Sequence, residues 1–359
     1  MKKTRKKKRL KISLFTILVF ILDIACISLL LVIYTNEKFQ NYFITTAMTT
    51  KSHKYLAYTL YGEDRIKKVM ASNYIERTDE KIKLDDIVIG SEDMFTKKYS
   101  NQYERELFTK DPGNDVYKTI RINEPRFKGW IIGVYDPANI DLAVSSRLGK
   151  MGDSVNKLVR NNNGLVGLNG GGFEDLDGWG NGSKPYGAII QDGKLVWTYP
   201  GGSGELIGFT KEHKLFLTND SPEEAIQKGM VDAVEFGPNL IVNGKSLKVH
   251  GDGGWGIAPR SIIAQRKDGV VLLVIIDGRL PGYSIGASMN DAIAILKRYK
   301  AYNAANLDGG ASSTMSIEGK LWNRPSAGGE YGGRTVSNAW IVTNKDNKPA
   351  QAPNKNNYK

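Results

Sequence analysis

The chain has 359 residues, 41% hydrophobic and 25% charged, which excludes a disordered or fibrous polypeptide and leaves room for one large globular domain. Its net charge of +12 is localised, because Lys2, Lys3, Arg5, Lys6, Lys7, Lys8, Arg9 and Lys11 supply eight of those charges within the first eleven residues. The remainder is close to neutral, so a basic groove for nucleic acid is excluded on the folded part.

Behind this basic tail, residues 1–11, comes ISLFTILVFILDIACISLLLVI, Ile12 to Ile33, with one charge, Asp23, in 22 residues. A helix of that length spans about 30 Å of hydrocarbon. Residues 12–34 are therefore expected to form a single transmembrane anchor. Since the basic residues precede it, the N-terminus is expected in the cytoplasm and the rest outside the cell membrane. A cleavable signal peptide is the alternative, with a shorter apolar region and a small-residue cleavage site close behind. The one cysteine, Cys26, lies in the span, so no disulfide framework is expected outside it.

Residues 35–115 read as a partly helical stalk that holds the main domain off the membrane, with Ile66, Val69 and Met70 at helical spacing. The compact domain is expected over 116–345. Four apolar segments in it are broken by a turn dipeptide: AIIQDGKLVW, LIVNGKSLKV, IIAQRKDGVVLLVII and MSIEGKLWN. Such dipeptides suit hairpins, so the β-structure is expected to be largely antiparallel. DSVNKLVRNN and SPEEAIQKG read as short helices. ASMNDAIAILKRYK reads as a longer one, with Ser288 as N-cap and Ala292, Ile295, Leu296 and Tyr299 on one face. The fold class is thus mixed α/β. The tail, 346–359, is expected to be disordered.

Polar, glycine-rich clusters end several apolar runs. They are Asn169, Gly170, Gly171, Gly172 and Phe173; then Asp277 and Arg279; then Asp308, Gly309, Gly310, Ser312, Ser313 and Thr314; and finally Arg334 and Asn338. Each alone reads as a turn. Together they predict one mouth built at element ends, where active sites favour loops. Arg279 and Arg334 have the planar fork that grips phosphate oxygens. The glycines would let backbone N–H groups form an anion-binding nest. Asp277 and Asp308 are the candidate acids or bases.

Other chemistries fit less well. His53, His213 and His250 share no metal-ligand spacing and read as solvated or structural. No cofactor is assigned. Ca2+ is the one metal candidate, held by Asp175, Asp177 and Asp252, although their spacing matches no standard loop. HGDGGWG, His250–Gly256, reads as a flexible lid or a plain loop. Trp179 and Trp255 are candidates to stack on a sugar, or to pack at the rim.

The segments LNGGGF, APRSIIAQRKDGVVLLVIIDGR, SIGASMNDAIAIL, YNAANLDGGASSTM and GGRTVSNAWIV, in that order, resemble the phosphodiester glycosidase family. That family includes the lysosomal uncovering enzyme and bacterial exopolysaccharide-associated proteins. The basic start and single anchor resemble its membrane-anchored bacterial branch. The resemblance runs from about Ile120 to Thr343, and Ala311 departs from it where many relatives carry a third glycine. It implies two β-sheets flanked by helices, and hydrolysis of a sugar-1-phosphodiester in a cell-wall or exopolysaccharide glycan. It further implies that Asn169 to Phe173 line the sugar and phosphate. Asp277, Arg279, Asp308 and Arg334 would form the polar centre, with Gly309, Gly310, Ser312, Ser313, Thr314 and Asn338 as contacts. Which Asp acts as base or nucleophile stays open. A non-catalytic binder of anionic wall glycopolymers and a phosphotransferase attaching them to the wall are the alternatives. No protein partner is indicated.

Overall fold

Ser13 accepts a hydrogen bond from Thr16 N and opens α1 (Leu14–Thr35), 22 residues long with its side chains exposed. The computed structural model describes residues 13–50, 53–90, 92–96, 98–175, 180–327 and 333–358. The basic tail and Ile12 therefore lie outside the described residues, as do Asp177 and Trp179. Among those described, α1 is the one helix long and apolar enough to cross a membrane.

Asn36 ends α1 by donating its N–H to Val32 O, and opens α2 (Glu37–Met48) by accepting from Phe39 N. The next helices, α3 (Lys54–Leu60) and α4 (Glu63–Ser72), fold back on α2 around Ile44, Ala47, Ala57, Tyr61, Ile66 and Val69. The segment is partly helical as its spacing predicts, but it packs on the body rather than standing off it as a stalk. The helices form a collar against the main body. Thr45 Oγ1 bonds the Asp252 carboxylate, Thr46 Oγ1 accepts from Ile257 N at 2.9 Å, and Asn73 Oδ1 accepts from Asp252 N at 2.9 Å. Tyr74–Ile75 pairs antiparallel with Val249–His250. The Thr46 hydroxyl and the Asn73 amide oxygen satisfy backbone N–H groups of the glycine-rich loop 250–257, while the Thr45 hydroxyl takes the Asp252 carboxylate.

Beyond α5 (Gln102–Phe108), the body is mixed α/β with every strand pairing antiparallel. Its three large sheets have seven, five and five strands, where two sheets were expected. The additional one contains Leu206–Thr210, Leu215–Thr218 and Met230–Glu235, short strands that no turn dipeptide advertises. All four predicted hairpins form. Asp192–Gly193, Asn243–Gly244 and Glu318–Gly319 each place both central residues at positive φ, as a type I′ turn requires. The helices α6 (Val155–Asn161), α7 (Pro222–Gln227) and α8 (Met289–Arg298) match their predicted segments. Ser288 caps α8 in a reciprocal capping box with Asp291. Ala292, Ile295, Leu296 and Tyr299 are all buried, so α8 covers one face of the seven-stranded sheet.

Six strands carry the site: β1 (Val166–Asn169), β2 (Arg260–Arg266), β3 (Val271–Ile276), β4 (Ala301–Asn306), β5 (Met315–Ile317) and β6 (Asn338–Val342). β2, β3 and β4 belong to the seven-stranded sheet, while β5 and β6 flank β1 in a second sheet. β3 is buried along its whole length, which is why it reads VLLVII with no polar alternation. The two sheets pack through Trp130, Ile132, Ile263, Leu273, Leu168, Met315 and Trp340, and their strand ends converge on one edge.

The C-terminal tail is ordered against the body rather than disordered. Asn114 and Ala350 form a β-bridge, Asp115 N donates to Pro349 O at 2.7 Å, and Gln351 N donates to Gly113 O at 2.8 Å. Tyr358 packs edge-on against Trp130, and Lys355 Nζ bonds Trp322 O. Low hydrophobicity predicts disorder for a free segment, but backbone pairing holds this one in place.

Candidate active site

Asn169, the last residue of β1, joins the two sheets. Its Oδ1 accepts from Ser261 Oγ at 2.7 Å and from Thr314 N at 3.0 Å, while its Nδ2 donates to Asp308 O at 2.6 Å. Asp308 N donates to Gly170 O at 3.0 Å. The backbone of Asp308 is therefore held on both sides by consecutive residues of one strand end. Asn169 was expected to line the ligand. Buried and engaged at both ends of its amide, it instead sets where Asp308 stands.

Asp308 is followed by Gly309, where a Cβ would come within 2.9 Å of Pro259 O, and by Gly310 at φ +60. Gly310 N donates to Pro259 O at 2.9 Å. The positive φ at Gly310 favours glycine, and a Cβ there would stand 3.3 Å from the guanidinium of Arg279, which lies close over this loop. Arg279 itself has φ 59, a left-handed conformation that a side chain disfavours by about 1–2 kcal/mol. Its guanidinium makes no hydrogen bond to the described residues. Desolvation pulls Arg279 below its ordinary range, and the Asp308 carboxylate pushes it back up.

The other predicted charges have different partners. Arg334 donates to Asp175 Oδ2 and to Gly180 O, each at 2.8 Å, and lies 5.1 Å over the Phe173 ring. It is therefore no open phosphate ligand. Asp277 is buried at the end of β3, where Oδ1 accepts from Asn323 Nδ2 and Arg324 N at 3.0 Å and Oδ2 accepts from Tyr283 OH at 3.1 Å. Burial raises its pKa against these bonds. Asp277 thus pins the 323–324 segment and Tyr283, and three donors already occupy its carboxylate.

The expected glycine nest at 170–172 does not form as an anion site. Gly170 N donates to Asn338 O at 3.1 Å and Gly171 N to Asn338 Oδ1 at 2.8 Å. A Cβ on Gly170 would collide with Asn338 Oδ1, and one on Gly172 would reach 2.7 Å from the Phe236 ring. These glycines serve close packing. Phe173 is buried with Val155, Leu158 and Ile341. Ser312 is buried as well. By contrast Ser313 Oγ, Thr314 Oγ1 and Asn338 Nδ2 are buried polar atoms with no hydrogen-bond partner. Thr314 and Asn338 flank Asn169 on the two sides of β1, through the β5 and β6 neighbours.

Ca2+ coordination by the three predicted aspartates is not supported. Asp175 pairs with Arg334, Asp252 pairs with Thr45 and accepts from Gly254 N, and Asp177 lies outside the described residues. No group of three His, Cys, Asp or Glu poised for a metal occurs among the described residues. The loop 250–257 is not a free lid, because the collar pins it. Trp255 lies 6.1 Å from the Phe236 ring at the rim beside Gly172. His250 bonds Glu76 at 2.6 Å and stacks on Tyr74 at 4.4 Å, a structural role.

Sequence reasoning missed Arg260 and Ser261. Arg260 is buried, and its guanidinium donates to Ala287 O, Trp255 O and Gly256 O. Burial first, and then the neighbouring Arg279, push it down to about 10. A charged residue opening a strand that is buried throughout was the available signal.

An antiparallel mixed α/β body, with a carboxylate and an open guanidinium at the meeting edge of two sheets, defines the class. A family model for phosphodiester glycosidases matches residues 162–343, half of the chain, and the protein belongs to that family. A curated relative, the SPbeta prophage-derived uncharacterized protein YomE of Bacillus subtilis (strain 168), is 27% identical over 169 residues, 43% of this chain. The chain spans 25% of that relative's length. Among solved structures, the zebrafish N-acetylglucosamine-1-phosphodiester alpha-N-acetylglucosaminidase catalytic domain, auto-inhibited by its pro-peptide, is similar with a TM-score of 0.51 and 23% identity. That match covers 64% of this chain and 82% of the zebrafish domain, and it shows a common fold. A putative exported protein of Burkholderia pseudomallei matches with a TM-score of 0.46 and 18% identity over 61% of this chain and 74% of its own.

Proposed function

We propose that this protein hydrolyses the bond between a sugar and phosphate in a sugar-1-phosphodiester of a cell-wall or exopolysaccharide glycan, outside the cell membrane. The observation that carries the reading is the placement of Asp308 beside Arg279, with Gly310 clearing the space between loop and guanidinium. In the reaction the C1–O bond to the bridging oxygen breaks, and its electron pair leaves on phosphate. Water supplies the hydroxyl at C1, and its proton ends on the phosphomonoester or in solvent. Asp308 is the group to serve C1, where positive charge develops, as base or as nucleophile. Arg279 grips the phosphate oxygens with its planar fork and stabilises charge building on the leaving group. Ser313 Oγ, Thr314 Oγ1 and Asn338 Nδ2 are polar atoms whose lack of partners is relieved by ligand hydroxyls or phosphate oxygens. The basic residues ahead of α1 support a cytoplasmic N-terminus and an extracellular body.

The test is incubation of the detergent-solubilised full chain with a panel of sugar-1-phosphodiesters, followed by product analysis. Release of free sugar and phosphomonoester is expected. Retention of a probe without cleavage would indicate a binder, and transfer of sugar phosphate to an added acceptor would indicate a transferase.

A further inference from the structure

The collar stands between the bilayer and the site. Tyr61 OH donates to Ile33 O at 2.9 Å, and the Tyr61 ring meets Tyr34 at 6.4 Å, so the end of α3 is fastened to the end of α1. On α3, Tyr55, Leu56 and Tyr58 are exposed at 60%, 37% and 54%, and Tyr34 at the end of α1 is exposed at 55%. Tyrosines exposed beside the end of a membrane span are the residues that settle at the headgroup level. The collar thus presents exposed aromatic side chains on the helix whose end is fastened to the anchor.

The other side of the collar grips the rim of the site. Thr45 is the ninth residue after Asn36, so along α2 it stands at most about 14 Å from the end of the anchor. Thr45 holds Asp252, and Trp255 follows three residues later, within about 11 Å of chain. Arg260 then holds Trp255 O and Gly256 O, and Pro259 O accepts from Gly310 N beside Asp308. Every link from bilayer to carboxylate is a hydrogen bond or a covalent bond within a folded element. With the Thr45–Asp252 side-chain link between these two spans, the rim is held at most about 35 Å from the end of the anchor.

We infer that the substrate is a sugar-1-phosphodiester carried on a lipid in the same membrane leaflet that holds the collar. This rests on the proposed hydrolysis and names the carrier of its phosphate. The phosphomonoester produced stays on the lipid, and the free sugar leaves into solution.

The test uses the full chain reconstituted in phosphatidylcholine–phosphatidylglycerol vesicles. Hexose and N-acetylhexosamine 1-phosphodiesters are offered on a dialkylglycerol in the same vesicles, on the same lipid in separate vesicles, and on a short water-soluble alcohol. Free sugar is measured at equal bulk concentrations. Release from the same vesicles is expected to exceed release from separate vesicles by at least about tenfold, because the fixed collar confines the site to its own surface. Equal release from same and separate vesicles, with the soluble probe turned over, overturns the inference and leaves the hydrolase reading standing. No release from any probe overturns both. Replacing Tyr55→Ser together with Tyr58→Ser is expected to lower the same-vesicle rate severalfold and leave the soluble probe unaffected. An unchanged same-vesicle rate in that variant also overturns the inference.

Discussion

Asp308 and Arg279 stand on loops that follow two strands of one sheet, where the Asp308 carboxylate acts on the Arg279 guanidinium and Gly310 lies close beneath it. The carboxylate has its backbone tied to Asn169 and Gly170, while the guanidinium has no hydrogen bond among the described residues. One partner is held and the other is available, the arrangement that the proposed division of labour between reacting carbon and phosphate requires.

Asp308→Asn keeps size and backbone bonds and removes the charge. Turnover is expected to fall by about 100-fold or more, with little change in thermal stability. Asp277→Asn should behave the other way. It disturbs a buried acceptor of three hydrogen bonds, so a stability loss of about 1–3 kcal/mol is expected. Turnover and melting temperature measured side by side test the division, and near-normal turnover in folded Asp308→Asn removes it from the chemistry.

Arg279→Lys retains charge and loses the planar fork, and kcat/KM is expected to fall about 10- to 100-fold. Arg279→Gly should lose more activity and yet be as stable as the parent or more so, by up to about 1 kcal/mol, because φ 59 suits glycine. A clear loss of stability in Arg279→Gly would show that this side chain supports the fold.

Gly170→Ala drives a methyl group into Asn338 Oδ1, and a loss of about 1–3 kcal/mol is expected from overpacking. Asn338→Ala removes the obstructing oxygen. The double variant should therefore be less damaged than the sum of the two single variants. Strict additivity in chemical denaturation would mean that the collision is relieved elsewhere.

Burial pushes Asp232 up to about 6 from 3.8. A carboxyl raised in the folded state binds more protons than in the unfolded chain between those values, so its contribution to stability falls as pH rises through that window. Asp232→Asn should flatten this part of the curve and raise stability at pH 7 relative to the parent. Parallel melting curves for the two proteins from pH 4 to 7 would refute the assignment.

The hairpins and the helices were readable because their signals are local. Asp192–Gly193, Asn243–Gly244 and Glu318–Gly319 need positive φ, and Ser288 needs its capping partner within one turn. The polar clusters are readable as element ends, but not as one site. What the residues could not reveal was which of them face each other. Arg279 and Arg334 look alike in sequence, and only folding brings Asp175 to Arg334 from 159 residues away. Asn338 likewise takes up the Gly170 and Gly171 amides from a distant strand, cancelling the expected nest. The collar was hidden for the same reason, since Thr45 and Asp252 are 207 residues apart.

The bridge between Asn114 and Ala350 makes the beginning and the finish of the main body neighbours. A body whose ends meet can be cut and rejoined in a new order. A short linker across that seam, with new termini opened at the exposed Asp192–Gly193 turn, would yield a circular permutant that keeps every strand neighbour around Asp308. Such a permutant would move the point of attachment away from the collar and leave the Asp308–Arg279 site on a body with new ends.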